Sequence, residues 1–168
     1  TGLERNADIV HLCTYAPLFA HVDAWQWRPD LIWFDHLSVV RTPHYYVQQL
    51  YGKNAGTHVV PLKMQNEAVT GQNDLYATAA IDRNTNELII KVANAGMQHR
   101  HLNVNLNGLS SGKHKGTLTL LQSTDLNVKN TIEQPAQIVP VESAIEVEAP
   151  VWKVKLQPFS FSVYRITL

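Results

Sequence analysis

The sequence predicts a mainly β protein whose larger part, residues 54–168, is an antiparallel β-sandwich of jelly-roll type. Several short runs alternate apolar and polar residues, among them Leu102, Val104 and Leu106, then Trp152, Val154 and Leu156, then Phe159, Phe161 and Val163. That period of two is the signature of a strand with one buried face. The runs are punctuated by turn-forming residues, as in Asp82-Arg83-Asn84-Thr85-Asn86, which is how sandwiches space their strands. Residues 1–53 read differently. Leu3, Ala7 and Val10 fit a helical stripe, and residues 9–15 form a largely apolar run that suits a parallel strand covered on both faces. We therefore expect a helix and a buried strand ahead of the sandwich.

In chain order, the expected strand over 9–15 leads to an aromatic, polar loop at residues 21–29, and residues 31–34 form a short apolar segment. Thr42 followed by Pro43 is a helix start, a side-chain cap with proline in the first turn. Tyr46, Val47, Leu50 and Tyr51 continue that helix, and Gly52 is its expected stop. Strands are expected over 75–81, 87–93, 102–106, 116–121, 144–148, 151–156 and 159–164. Residues 122–142, polar and carrying Pro135 and Pro140, read as a long loop over a sheet edge.

Composition excludes several classes. Lys plus Arg and Asp plus Glu both number 14, so the basic surplus that nucleic-acid binding draws on is missing. No apolar run approaches 18 residues, so no membrane-spanning helix is expected. The single cysteine, Cys13, rules out an internal disulfide and a cysteine-based zinc site. Its apolar neighbours suggest a buried, inert thiol. His99 and His101 are spaced to share a strand face, but no third ligand stands near them, so no metal or cofactor is expected. Glu4 and Arg5 read as a surface ion pair.

Four blocks of residues 1–53 carry a resemblance. They are Thr1-Gly2-Leu3-Glu4-Arg5-Asn6-Ala7-Asp8, then Tyr15-Ala16-Pro17-Leu18-Phe19, then Trp27-x-Pro29-Asp30-Leu31-Ile32-Trp33-Phe34-Asp35, then Thr42-Pro43-x-Tyr45-Tyr46-Val47-Gln48. In that order and spacing they closely resemble the α-L-arabinofuranosidases of glycoside hydrolase family 51. The likeness continues more weakly through Gln134-Pro135-x-x-Ile138-Val139-Pro140 and Pro158-Phe159-Ser160-Phe161-Ser162-Val163. The resemblance implies that residues 1–53 are the C-terminal remnant of a (β/α)8 barrel: the end of its seventh helix, its eighth strand and its eighth helix. Residues 54–168 would be the C-terminal β-sandwich domain. It also implies a retaining enzyme that releases arabinofuranosyl residues from arabinan or arabinoxylan, so that the partner would be an arabinose-containing polysaccharide or oligosaccharide.

Retaining glycosidases use two carboxyl groups about 5 Å apart, one acid/base and one nucleophile. The family supplies both as glutamates after earlier barrel strands, which implies that they lie upstream of residue 1. No residue of this chain is therefore expected to be catalytic, including Glu67 and Glu87, which follow asparagine as the family's acid/base does. What the chain is expected to contribute is substrate contact. His11 falls in the expected eighth strand, where related sequences carry a carboxylate. Trp25 and Trp27 offer ring faces that match the apolar face of a sugar, and Asp23 offers an acceptor for a hydroxyl. On this reading the chain alone is structural and inactive. A second reading is a carbohydrate-binding sandwich without catalysis; it needs a platform of exposed aromatics, and the alternation of residues 54–168 puts most of theirs inside. A barrel remnant leaves an apolar face open, so residues 1–53 are expected either to fold back onto the sandwich or to bring about a homo-oligomer.

Overall fold

The structure, a computed structural model, describes all residues 1–168. Its first part is α1 (Gly2–Arg5), then an irregular stretch, then three short strands, β1 (Phe19–His21), β2 (Ile32–Phe34) and β3 (Val39–Arg41), and the helix α2 (Pro43–Lys53). The chain continues with β4 (His58–Val60), the small hairpin β5 (Lys63–Met64) and β6 (Glu67–Ala68), β7 (Leu75–Asp82), β8 (Glu87–Asn94), β9 (Arg100–Asn105), β10 (Gly112–Gln122), β11 (Val141–Ala149), β12 (Val151–Leu156) and β13 (Ser160–Thr167). No helix is long and apolar enough to cross a membrane.

The antiparallel sandwich expected for the larger part is observed. One sheet has six strands in the order β11-β10-β13-β8-β7-β4, antiparallel throughout, and a two-stranded sheet, β12-β9, faces it. Alternation decides which side chains fill the space between them. Leu75, Ala77 and Ala79 of β7, Ile90 of β8, and Tyr164 and Ile166 of β13 meet Trp152 and Leu156 of β12. Trp152, which the alternation of its strand sends inward, packs edge-on against Tyr164 with ring centroids 4.8 Å apart.

The opposite face of the six-stranded sheet is also covered. Ile89, Phe161, Val163 and Leu121 point away from the sandwich core and meet Leu50, Tyr46, Val47 and Tyr51 of α2. Tyr51 stacks on Phe161 at 5.2 Å with the rings 17° from parallel. Thr42 caps α2 as its sequence suggests, accepting the Tyr45 amide at 3.2 Å. The helix ends one residue beyond the expected stop: Gly52 lies inside it, and Asn54 closes it by donating to the Leu50 carbonyl at 2.9 Å. Asn54 also accepts from Arg165 of β13 (3.0 Å), whose guanidinium in turn holds Glu87 and donates to Thr85 at 3.2 Å.

Three expectations for the first residues are corrected. Residues 9–15 form no strand; the extended pairing comes later, where β1 runs parallel to β2 and β2 antiparallel to β3. An apolar run becomes a strand only where a neighbouring strand takes its backbone groups, and here residues 19–21 have such a neighbour while 9–15 do not. Cys13, in that irregular stretch, is exposed rather than buried for the same reason. Glu4 makes no surface pair with Arg5. Its carboxylate turns to the sheet, where it accepts from Lys91 of β8 and from Thr78 of β7. Lys91 is fully buried, its ammonium 5.4 Å above the Tyr51 ring. A charge so deep requires an opposite charge, and Glu4 supplies it. Residues 1–53 thus fold back onto the sandwich through α2 and through this ion pair.

The loop expected over 122–142 is a loop up to residue 140 and is pinned rather than free. Asn130, buried, donates to the Arg41 and Ile138 carbonyls (2.8 and 2.9 Å) and accepts the Ile138 amide (2.8 Å). It joins the end of β3 to the side of the sandwich that carries α2.

Candidate functional site

The segment between β1 and β2 carries two exposed tryptophans, Trp25 and Trp27, beside the exposed Asp23 and Arg28. Because β1 and β2 are parallel, the chain must cross over between them, and residues 22–31 do so in a loop. Trp25 is held in place: the Arg28 guanidinium lies 4.1 Å over its ring and 5.5 Å over that of Trp33, and the two indoles meet edge-on at 6.0 Å. A guanidinium sandwiched on indoles fixes an aromatic side chain at a low cost in conformational entropy. Trp27 is 68% exposed. It borders a cleft of about 470 Å³ that Tyr15, Ala16, Pro17, Arg28 and Pro29 complete.

Three histidines lie on the neighbouring elements: His21 on β1, His36 just after β2 and His44 on α2. The Asp23 amide donates to His21 Nδ1 at 3.2 Å, and the ring's Nε2 is buried without a hydrogen-bond partner. The His21 ring packs edge-on against Phe34 at 5.3 Å and lies 5.2 Å from His36. Beyond β2, the Asp35 carboxylate accepts the Leu37 and Ser38 amides at 2.8 and 2.6 Å, which holds it below the usual carboxylate range. Tyr15 bonds His44 Nδ1 at 2.9 Å, and partial burial depresses the basicity of that imidazole. Asp30 is buried at the entry to β2, and its Oδ2 finds no hydrogen-bond partner in the protein.

The four residues singled out from the sequence do not converge. Asp23, Trp25 and Trp27 lie together on the exposed loop, while His11 is exposed on the irregular stretch, outside any strand. Since no strand forms at 9–15, the expectation that His11 projects from one into a pocket is not met in this chain. Arg28, Trp33 and Tyr15 were missed as partners. Arg28 was legible as a cation close to two tryptophans, whereas the Tyr15–His44 contact joins residues 29 apart and has no local signature. Of the asparagine-preceded glutamates, Glu87 is bound by Arg165, which keeps it ionised and below its usual range. A carboxylate so held is a poor proton donor. Glu67 stands in the β5–β6 hairpin next to Asn66, at φ 69°. His101 lies on β9 and His99 just before it, both exposed.

The arrangement can present ring faces, one cation and one carboxylate to a hydroxylated ring compound. Elsewhere such surface is scarce: among the aromatic residues of 54–168, Tyr76 alone is exposed, so the three-aromatic platform of a binding sandwich is not there.

Comparison with known proteins finds this chain similar to α-L-arabinofuranosidases. The family described as the α-L-arabinofuranosidase C-terminal domain matches residues 1–160. The chain is 32% identical to α-L-arabinofuranosidase 1 of Arabidopsis thaliana over 171 aligned positions, covering 97% of the chain and 24% of that protein. It is 54% identical over 63 positions, 38% of the chain and 8% of the relative, to an extracellular exo-α-L-arabinofuranosidase of Streptomyces chartreusis. In structure it superposes on an arabinose-bound family 51 α-L-arabinofuranosidase with a TM-score of 0.86 at 32% identity, over 99% of this chain and 26% of that one. The chain thus spans about a quarter of the length of the relatives it matches. It belongs to the α-L-arabinofuranosidase C-terminal domain family of glycoside hydrolase family 51.

Proposed function

We propose that this chain is the C-terminal part of a retaining α-L-arabinofuranosidase that releases terminal arabinofuranosyl residues from arabinan or arabinoxylan. The observation that carries the reading is the family match over residues 1–160. On this reading residues 1–53 belong to a (β/α)8 barrel and residues 54–168 are its accessory sandwich. The acid/base and nucleophile glutamates lie upstream of residue 1, and the chain alone does not catalyse hydrolysis.

Its own contribution is to the edge of the substrate site. Trp27, exposed beside a cleft, stacks on a sugar face, and Trp25 supports that surface from its clamp under Arg28. Asp23, exposed on the same loop, accepts a hydroxyl. His11 reaches the pocket once the irregular stretch 9–15 is ordered by neighbouring strands of the barrel.

The test is hydrolysis of a chromogenic α-L-arabinofuranoside by this chain and by a form extended upstream through a complete barrel. Activity with retention in the extended form alone is expected. Turnover by the chain alone overturns the placement of the catalytic glutamates, and turnover by neither overturns the reading. In the extended form Trp27→Ala is expected to raise KM about fivefold to tenfold with kcat little changed, the worth of one aromatic contact.

A further inference from the structure

The two-stranded sheet has a face that the sandwich core does not use. Strands β9 and β12 pair antiparallel, with Lys155 opposite His101, Lys153 opposite Asn103 and Val151 opposite Asn105. Directly opposed residues project to the same face, and all six are exposed. Their neighbours Val104, Leu102, Trp152 and Val154 project to the other face, into the core. The outer face therefore carries two ammonium groups, one imidazole, two amides and the isopropyl group of Val151. Neither lysine is paired, since the chain's five ion pairs involve other residues. Residues 1–53 pack on the opposite side of the molecule, against the six-stranded sheet, and leave this face open.

A polar outer face is ordinary for an antiparallel sheet with one side in water, but folding does not select which polar groups stand there. A cation opposite an imidazole is unfavourable whenever both are charged. Lysines do guard exposed strands against edge pairing, but that purpose needs no facing imidazole and no row of amides. An amide row offers hydrogen-bond donors and acceptors to hydroxyl groups, and the lysines, two residues apart on one strand and so about 7 Å apart, offer point charges to anions. Apart from the His101 imidazole there is no aromatic ring on this face, so it lacks the broad phenyl or indole surface that suits the apolar face of a neutral sugar.

We infer that the outer face of the β9–β12 sheet, through Lys153, Lys155, His101, Asn103 and Asn105, binds a carboxylated polysaccharide, a polyuronate. The occupant follows from charge complementarity together with the amides: carboxylates meet the lysines, and the ring hydroxyls meet Asn103 and Asn105. This inference stands apart from the proposed hydrolysis, because it concerns a face remote from the tryptophan loop and needs no turnover.

The test is retardation of the full chain in native gels containing polygalacturonate, with a chelator present so that calcium does not cross-link the polymer. Retardation by polygalacturonate is expected, with weaker retardation at raised salt and none by neutral arabinan of similar length. In the double variant Lys153→Gln, Lys155→Gln the affinity is expected to fall about tenfold, the worth of two exposed charge contacts. Lys153→Arg, Lys155→Arg is expected to keep it. Unchanged retardation of the glutamine variant overturns the inference, as does failure of polygalacturonate to retard the parent chain. Equal retardation by double-stranded DNA of matched charge also overturns it, since the face would then be selecting charge without selecting sugar.

Discussion

The two parts of this chain bury themselves to very different extents. Residues 54–168 enclose a core between two sheets, and α2, from residues 1–53, seals the back of the larger sheet. Residues 1–53 contribute only Ala20, Asp30, Leu31, Val40 and Leu50 to the buried residues, yet they hold nine of the seventeen large hydrophobics that are exposed, Leu12 and Leu37 at 84% and 97% among them. Apolar side chains left in water in that number mark a surface built for further contact. The sandwich encloses a core of its own, while the first part has none and is anchored at one end by α2 and at the other by Glu4. The lesson is that anchorage and completion are separate: a segment can be fixed firmly in place without having a core of its own.

The largest effect expected is from removing the seam between the parts. Phe161→Ala takes away the ring on which Tyr51 stacks and opens a cavity beneath α2. It is expected to cost about 3–5 kcal/mol in urea unfolding. A loss below about 1 kcal/mol would mean that α2 contributes little to the sheet. The ion pair sharpens the same comparison. Lys91→Met leaves the Glu4 carboxylate at the sheet surface without its counter-charge and is expected to cost about 3 kcal/mol. Adding Glu4→Gln to it should recover much of that loss, and a double-mutant cycle that proves additive would show that the two residues act independently.

The smallest effect concerns pH. Glu87 is held below its ordinary value of 4.5, chiefly by its hydrogen bond from Arg165. A carboxylate whose folded-state value is depressed binds fewer protons folded than unfolded, so its contribution is complete above about pH 4.5 and is lost as pH falls through the lower folded value. Unfolding curves between pH 5 and 3 should therefore fall more steeply for the parent chain than for Glu87→Gln. Parallel curves would remove the Arg165–Glu87 pair from the account of how α2's end is pinned.

Much of this architecture was legible in the sequence, and the reasons are physical. Alternation fixed the faces of β9 and β12, because those strands have one layer to satisfy and water on the other side. Strands β8 and β13 are covered on both sides, so their apolar residues fall on both faces, and Phe161 and Val163 turn to α2 rather than to the sandwich core. The Thr42-Pro43 start of α2 was legible because capping is local. The run 9–15 misled because apolar character says that a segment is to be covered, not by what. Without adjacent strands it stays irregular, and Cys13 and His11 are exposed with it. Glu4 misled for the opposite reason: its partner Lys91 is 87 residues away, and no local pattern announces a contact of that range. At the loop, the sequence pointed to Trp25 and Trp27, with Arg28 legible beside them, but not to the contacts of His21 with Phe34 and His36, which depend on the parallel pairing of β1 with β2.

Native-state hydrogen exchange tests the central contrast most directly. Outside the strands and helices, no amide of residues 11–18 donates a backbone hydrogen bond, whereas β7, β8, β10 and β13 lie within a continuous ladder. The account predicts that amides of 11–18 exchange at close to unstructured rates, and that those of the central strands and of α2 exchange only through global unfolding. Protection of residues 11–18 as strong as that of β8 and β13 would contradict it, because the first part would then be completing itself without further contacts.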